Sequence, residues 1–277
     1  MKLNFRMKII VFLLSICFSL LGIEIGLRLV DPWGMNYFWD VADIWNQAEA
    51  HPNRIAALPP GRYRLRGWTV NQLDNFTRRV PASQGGECEI VFVGDSMTWG
   101  HGVDDDETWV NLVAAQLRGT TVINAGFDQY NSDNVLRALA DFPDADLFVY
   151  LVIDNDAEPT VVVTHQPTAS MLKMYLVYGA YYLTTGDTGT IEEENRQEEK
   201  GRFESDIAQL AADGRVVFFG FDEPLARSLI PDYPITLLPS MTHPLSLVDR
   251  HPDPEGHKDF AASILPDLQT AVAEHCP

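Results

Sequence analysis

This 277-residue sequence has little positive charge, because only five of its 20 basic residues are lysines while 39 residues are acidic, which gives a formal net charge of −19. Such a surface repels phosphate backbones and excludes nucleic acid as an expected partner. Cysteine is also rare, with three residues, and no cluster of Cys and His has zinc spacing, so we expect no metal and no cofactor. Repeats at a solenoid period are absent too, and 46% hydrophobic residues suffice for one sizeable core.

A long apolar run lies near the N-terminus. Three basic residues within the first eight positions precede apolar residues 9–23, and the apolar pattern continues to Val30 around Glu24 and Arg28. A basic flank followed by an apolar core is typical of a secretory signal or a signal anchor. We expect an uncleaved transmembrane anchor over residues 1–30, because no small-residue cleavage site follows; a cleaved signal is the alternative. The basic flank should stay in the cytoplasm, which places the rest of the chain outside.

Two of the cysteines lie near the two ends of the sequence that follows residue 86. Cys88 precedes the first strongly apolar short run, and Cys276 is the penultimate residue. In an oxidising compartment they can form a disulfide that closes the ends of the domain. Two unpaired thiols are an equally open alternative.

The sequence after the apolar run falls into two parts. Residues 31–86 are rich in Pro, Gly and aromatic residues without clear periodicity, which predicts an irregular linker and surface arm. Residues 87–277 then form one domain in which short apolar strands alternate with helices. The predicted strands cover 89–93, 121–123, 147–153, 215–221 and 235–238, and the predicted helices cover 107–117, 133–142, 203–212 and 255–275. Such alternation indicates a parallel sheet covered by helices on both faces.

Two segments interrupt this rhythm. Residues 157–201 contain a possible apolar helix at 168–183 and then a polar run, which we interpret as an insertion near the site or facing the membrane. An ordinary crossover helix with a solvated loop is the alternative. Pro266 lies inside the last predicted helix and predicts a kink or a break there.

Polar residues stand where the predicted strands end, and ligands of open parallel sheets bind beyond those ends. Ser96 follows the first strand, Gly126 the second and Asn155 the third, while Asp249 and His251 precede the last helix. A serine hydroxyl needs a base and an oriented imidazole to become a nucleophile, roles that suit His251 and Asp249. The N–H groups of Ser96 and Gly126 and the amide of Asn155 can stabilise an oxyanion.

Other polar residues in the domain are weaker candidates. Asp253 is a second possible orienting carboxylate, and His243 is a rival base. His257 is expected to pack in or cap the last helix, and His101 to lie at the surface or the rim of the site. The acidic run 104–106 precedes a helix and suits N-capping better than metal binding.

These residues resemble the conserved blocks of the SGNH/GDSL hydrolase family. The matching blocks are Gly94-Asp95-Ser96, Asn124-Ala125-Gly126, Asn155-Asp156, and Asp249 with His251. The stretch 91–109 and the N-terminal run resemble the membrane-anchored bacterial members, and the resemblance covers most of residues 88–275. The sequence departs from the family at Ile153, where a glycine is common, and in the Asp-x-His spacing, where Asp-x-x-His is common.

The resemblance implies a three-layer α/β/α flavodoxin-like fold and a serine esterase with an acyl-enzyme mechanism. Its implied substrates are short acyl esters, often acetyl, of carbohydrates or lipids outside the cytoplasm. An O-acyltransferase that modifies an envelope polysaccharide with the same residues is an alternative. A non-catalytic binding subunit on the same scaffold is another. The sequence identifies no protein partner.

Overall fold

The computed structural model describes residues 4–160, 168–185, 193–222, 224–229, 231–240 and 242–276. The helices among them are α1 (Phe5–Val30), α2 (Asn36–Gln47), α3 (Ser96–Trp99), α4 (Trp109–Ala114), α5 (Ser132–Ala138), α6 (Met171–Thr185), α7 (Glu193–Asp213), α8 (Pro224–Leu229) and α9 (Pro254–His275). The strands are β1 (Glu49–Ala50), β2 (Ala56–Ala57), β3 (Gly61–Arg64), β4 (Thr69–Gln72), β5 (Cys88–Val93), β6 (Thr120–Asn124), β7 (Leu147–Val152), β8 (Val216–Phe221) and β9 (Ile235–Leu238). Short 3₁₀ helices cover Leu139–Asp141 and Asp154–Ala157.

The central sheet has five parallel strands in the order β6-β5-β7-β8-β9. Counted among themselves, these strands run 2-1-3-4-5, the flavodoxin-like order. Successive strands are therefore added on one side of β5 and then on the other, starting with β7. The switch point between β5 and β7 is where such sheets bind ligands. The predicted fold class is confirmed.

Helices cover both faces of this sheet and bury its apolar strands. On one face α4 and α9 pack on β5 and β7 through residues that include Trp109, Val113, Phe260 and Ile264. On the other face α5 and α7 contribute residues that include Val135, Phe203 and Ile207. Burial on both faces explains why the strands are continuous apolar runs.

Two features of the predicted helices need correction. Helix α9 continues through Pro266, so the predicted kink or break is not a break, and the kink stays a prediction. Helix α7 begins at Glu193, well before the predicted start at 203, so part of the expected polar loop is helical. The predicted loop residues 186–192 lie outside the described part of the chain.

Residues 31–86 are folded, and the prediction of an irregular arm is wrong. They contain α2 and the antiparallel pairs β1–β2 and β3–β4. Their apolar side chains form a cluster with residues that follow β5 and β6; its members are Val41, Ile44, Trp45, Leu58, Trp68, Val70, Trp99, Phe127 and Tyr130. The backbone of Arg78 also pairs with Asn124 at the edge of β6, with an N–O distance of 2.9 Å. The domain boundary at residue 87 stays a prediction, but this segment forms a wall of the same body.

The two ends of the α/β domain are covalently joined. Cys88 at the start of β5 and Cys276 after α9 form a disulfide, with their Cα atoms 5.5 Å apart. This distance lies within the ordinary range for disulfides. The pairing decides between the two alternatives that the sequence left open.

Helix α1 is the N-terminal apolar helix that the sequence predicts. Its most apolar 18-residue window has a mean hydropathy of 2.5 and none of it is buried in the protein. By length and composition it can act as a membrane anchor or as a signal sequence.

Candidate active site

Ser96 sits in a tight turn between β5 and α3. Gly94 has φ of 146°, a conformation that favours glycine, and a Cβ there would meet Thr98 Oγ1 at 2.5 Å. Asp95 caps α3 by accepting a hydrogen bond from Met97 N at 2.9 Å. Ser96 is therefore the first residue of α3, where backbone N–H groups have no partner within the helix. The turn presents both the hydroxyl and an N–H of the same residue at the carboxyl edge of the sheet.

His251 and Asp249 complete a hydrogen-bonded chain with the serine. His251 Nε2 lies 2.7 Å from Ser96 Oγ, and His251 Nδ1 lies 2.6 Å from Asp249 Oδ1. The backbone N–H of His251 also donates to Asp249 Oδ1 at 3.1 Å, and the loop is closed by a bond from Leu245 N to His251 O. The Asp-x-His spacing therefore allows Asp249 to contact the imidazole, because the backbone N–H and the imidazole of His251 both reach the same carboxylate oxygen.

The charges around the imidazole favour its protonated form. Burial by itself lowers the pKa of His251, but the hydrogen bond and the charge of Asp249, with smaller effects from Asp128 and Asp95, raise that pKa above its ordinary value. For Asp249, burial raises the pKa, but the interactions with His251 outweigh it and the pKa is lowered. The pair is thus suited to accept the serine proton and hold it as an ion pair.

Asn155 lies beside the serine, as predicted. It belongs to the 3₁₀ helix Asp154–Ala157 after β7, which is held by a bond from Ile153 N to Asp156 Oδ2 at 2.8 Å. Asn155 Nδ2 lies 3.4 Å from Asp95 Oδ2, and Ser96 Oγ lies 3.2 Å from the same oxygen. Burial raises the pKa of Asp95 to about 6. Isoleucine at 153 therefore does not displace the amide from the site.

Gly126 lies in the loop after β6, and its role as an oxyanion donor stays a prediction. Its N–H donates to Asn124 Oδ1 at 3.1 Å, so it is engaged inside the protein. A Cβ at Gly126 would lie 2.7 Å from Trp99 N and 3.0 Å from Thr98 Cβ. These contacts show why glycine is needed here, because the loop after β6 packs tightly against α3.

His101 is part of the site and not a rim residue. It is 1% exposed, and its ring stacks on that of His251 with centroids 4.5 Å apart. Its Nε2 lies 3.9 Å from Asp249 Oδ2 and its Nδ1 lies 3.6 Å from Asp128 Oδ1. Tyr37 of α2 packs on both imidazoles, at 5.3 Å from His101 and 5.8 Å from His251. These neighbours lie far apart in the sequence, which carries no signal that joins them.

A metal ligand set could be drawn from the same residues. Among the described residues, the ligand atoms of His101, Asp249 and His251 lie within 4.8 Å of one another. The imidazole of His251 is hydrogen-bonded at both nitrogens, to Ser96 and to Asp249. Two members of the cluster, Asp249 and His251, thus belong to the hydrogen-bonded chain, and His101 stacks on His251.

The weaker candidates fall into other roles. Asp253 caps α9 by accepting bonds from Glu255 N and Gly256 N, so it does not orient His251. His243 is exposed and lies 3.7 Å from an Asp259 oxygen. His257 is buried in the first turn of α9, as expected, and accepts a bond from Trp109 N; burial lowers its pKa to about 3.

The acidic run 104–106 does not cap the helix, because Thr108 caps α4. Asp105 instead pairs with Arg78 at 2.9 Å, and the Arg78 side chain is fully buried. Arg78 also donates to the carbonyl oxygens of Trp99 at 2.9 Å, Gly100 at 2.5 Å and Val103 at 2.6 Å. An arginine from residues 31–86, the N-terminal segment, thus supports the loop that follows Ser96.

Comparison with known proteins gives structural neighbours only. No protein-family model matches the sequence, and no curated protein sequence matches it. A member of the lipolytic protein G-D-S-L family from Veillonella parvula is 12% identical, with a TM-score of 0.42, over 66% of this chain and 98% of that one. TesA is 15% identical, with a TM-score of 0.41, over 66% and 99%. A carbohydrate acetylesterase family member from Sinorhizobium meliloti is 16% identical, with a TM-score of 0.40, over 67% and 99%. The fold itself is established by the sheet order and helix layers described above.

Proposed function

We propose that this protein is a serine esterase in which Ser96, His251 and Asp249 form a catalytic triad. The observation that carries the proposal is the continuous chain of hydrogen bonds, 2.7 Å from His251 Nε2 to Ser96 Oγ and 2.6 Å from His251 Nδ1 to Asp249 Oδ1. These are the contacts that a nucleophile, its base and its orienting group require.

In the proposed mechanism, Ser96 Oγ attacks the ester carbonyl and its proton passes to His251 Nε2. Asp249 holds the imidazole in place and stabilises the imidazolium that forms. The Ser96 N–H and the Asn155 amide stabilise the oxyanion, with Asn155 turning from Asp95 toward the substrate. His251 returns the proton to the alcohol that leaves, and water then releases the acid from the acyl-enzyme by the same route.

The resemblance in sequence supports short acyl groups, such as acetyl, on carbohydrates or lipids as the substrate class. Two features support action outside the cytoplasm. The basic N-terminal flank favours an α1 anchor with its first residues inside the cell. The Cys88–Cys276 disulfide suits an oxidising compartment. We therefore propose that α1 anchors the protein in a membrane and that the ester substrate is met on the outer side.

The test is turnover of p-nitrophenyl acetate by the full chain in detergent. We expect Ser96→Ala to lower kcat/KM by at least about a thousandfold, because losing a triad serine removes the acyl-enzyme route. Ser205→Ala, at an exposed serine on α7, is the matched control and should leave the rate unchanged. A fluorophosphonate probe should label the unaltered protein and Ser205→Ala but not Ser96→Ala. Equal turnover by Ser96→Ala and the unaltered chain would refute the proposed function.

A further inference from the structure

Helix α6 carries an apolar stripe on its outer face. Leu176, Val177 and Leu183 are 65%, 60% and 86% exposed, and Ala180 is exposed between them. This spacing of three and four residues puts all four on one side of the helix. Large apolar side chains at such exposure are costly in water when they form a continuous patch, and such patches mark interaction surfaces.

The N-terminus of α6 is fixed against the apolar run of α1. Glu24 of α1 accepts hydrogen bonds from the backbone N–H groups of Met171 and Leu172, both at 2.9 Å, and from Ser170 Oγ at 3.1 Å. Arg28 donates to the same carboxylate at 2.7 Å. The carboxylate and the free N–H groups at the start of α6 therefore satisfy each other, as polar groups within a bilayer must.

This joint gives α6 a depth relative to α1. The apolar run begins at Ile9, and fifteen residues of helix from there to Glu24 rise about 22 Å. A hydrocarbon core is about 30 Å thick, so Glu24 lies on the outer side of its middle when the run starts at the inner boundary. The first turns of α6 are thus held at the level of the outer leaflet.

A second joint keeps α6 in place. The Tyr175 hydroxyl donates to Asp31 Oδ1 at 2.9 Å and accepts a bond from Trp33 N at 3.1 Å, and the Tyr175 and Trp33 rings are 4.8 Å apart. Tyr175 belongs to a buried cluster with Met35 and Met174, and Trp33 packs against this cluster. The two joints hold α6 in one orientation, in which its stripe faces away from the protein.

The surface beside the stripe is apolar as well. A pocket of about 350 Å³ lies between α2 and α6 and is lined by side chains that include Met35, Phe38, Met174, Val177 and Tyr178. Val177 belongs to both the stripe and the pocket. The Phe38 ring lies 5.5 Å from that of Tyr37, which packs on His251. The apolar surface therefore extends from the stripe toward the wall of the candidate active site.

We propose that the exposed face of α6 is a second membrane contact that lies at the headgroup level of the outer leaflet of the bilayer crossed by α1. The proposal rests on the membrane anchor in the proposed function, and it sets both the height and the tilt of the α/β domain. With the stripe at this level, the pocket beside it opens toward the surface of the bilayer. The serine site is then held next to the lipid surface.

The test uses the full chain reconstituted in phosphatidylcholine vesicles with environment-sensitive maleimide labels. Cys17 of the unaltered chain reports α1. In a Cys17→Ser background, the single variants Leu176→Cys, Val177→Cys and Leu183→Cys report the stripe. Gln269→Cys, at an exposed position near the far end of α9, is the matched control. Each labelled protein is also assayed for esterase activity, which checks that it is folded.

We expect phosphatidylcholine brominated near the headgroup to remove most of the fluorescence of the three α6 labels and little of that of the Gln269 label. Lipid brominated near the chain end should quench the Cys17 label more than the α6 labels. Quenching at Cys17 without quenching on α6 would overturn the α6 contact and leave the anchor intact. Disulfide cross-linking between two copies through the α6 cysteines, without quenching, would show a second copy on this face and also overturn it. A loss of quenching at Cys17 and on α6 together would overturn both the anchor and the contact, while esterase activity reports the triad independently.

Discussion

Replacing Arg78 by methionine tests whether the N-terminal segment is part of the serine site. Methionine keeps much of the apolar stem but removes every donor of the guanidinium. The Asp105 carboxylate then loses its ion pair, and three loop carbonyls lose the donor that they share. The side chain is fully buried, so water cannot take its place without rearrangement.

The size of the effect follows from these contacts. Breaking a buried ion pair by removing one partner costs about 3–5 kcal/mol. Asp105 keeps a hydrogen bond from Asn71 Nδ2 at 2.6 Å, which favours the lower end, while the unpaired carbonyl oxygens add to the cost. We therefore expect Arg78→Met to lower the free energy of unfolding by about 3 kcal/mol or more, a large part of the 5–15 kcal/mol typical of a protein.

The neighbouring residue provides the control. Arg79 is also an arginine but its side chain is exposed, so Arg79→Met should change stability by no more than about 0.5 kcal/mol. Asp105→Asn in the Arg78→Met background should recover part of the loss, because the uncompensated buried charge is gone.

Urea unfolding of the full chain in detergent, followed by tryptophan fluorescence, measures these differences. The Arg78 guanidinium lies 5.8 Å from the Trp68 ring and 5.5 Å from the Trp99 ring, so the signal reports this region. Equal losses for Arg78→Met and Arg79→Met would refute the reasoning. So would a double variant with Asp105→Asn that is no more stable than Arg78→Met alone.

The remaining predictions concern the charge on the triad and the closure of the domain. In the unaltered enzyme, kcat/KM should rise with pH through a pKa above the ordinary 6.5 of histidine, because His251 must be neutral to accept the proton. Asp249→Asn removes the main cause of that raised pKa, so it should move this acid limb to lower pH and reduce the plateau by about ten-thousandfold; a pH profile with an unmoved limb would contradict it. Replacing Cys88 and Cys276 by alanine together should cost about 2–5 kcal/mol of stability in urea unfolding but preserve activity at low temperature, since the bridge lies at the edge of the sheet opposite to Ser96. An unchanged unfolding midpoint would show that the bridge does not restrict the unfolded chain.

The sequence predicts the α/β layers and the meeting of Ser96, His251 and Asp249 because each depends on a local pattern. Strands buried on both faces are continuous apolar runs, and Ser96, Asn155 and the His251 loop stand directly beyond strands or before a helix. The sequence does not predict α2 and the short strand pairs before residue 87, whose strands are two to four residues long and show no readable periodicity. The folding of these elements depends on contacts with Trp99 and the loop after β6, which no local pattern reveals.

The same limit applies at the site. Gly126 stands at a strand end, as a donor to an oxyanion would, but its spacing does not reveal that its N–H donates to the Asn124 side chain. His101 has the polarity of a surface residue, yet the fold buries it between Asp128 and Asp249. Whether a polar group faces the substrate or the protein interior is set by tertiary contacts of a few ångströms, which sequence spacing does not resolve.

The support that Arg78 gives to the serine loop has a practical consequence for truncated proteins. A fragment cut where the strand–helix alternation begins, at residue 87, would retain every triad residue but lose the guanidinium beneath them. It would also uncover Trp99, Phe127 and Tyr130, which the N-terminal segment shields from water. A soluble fragment intended for enzymology should therefore start close to residue 31, between the apolar helix and the segment that completes the serine site.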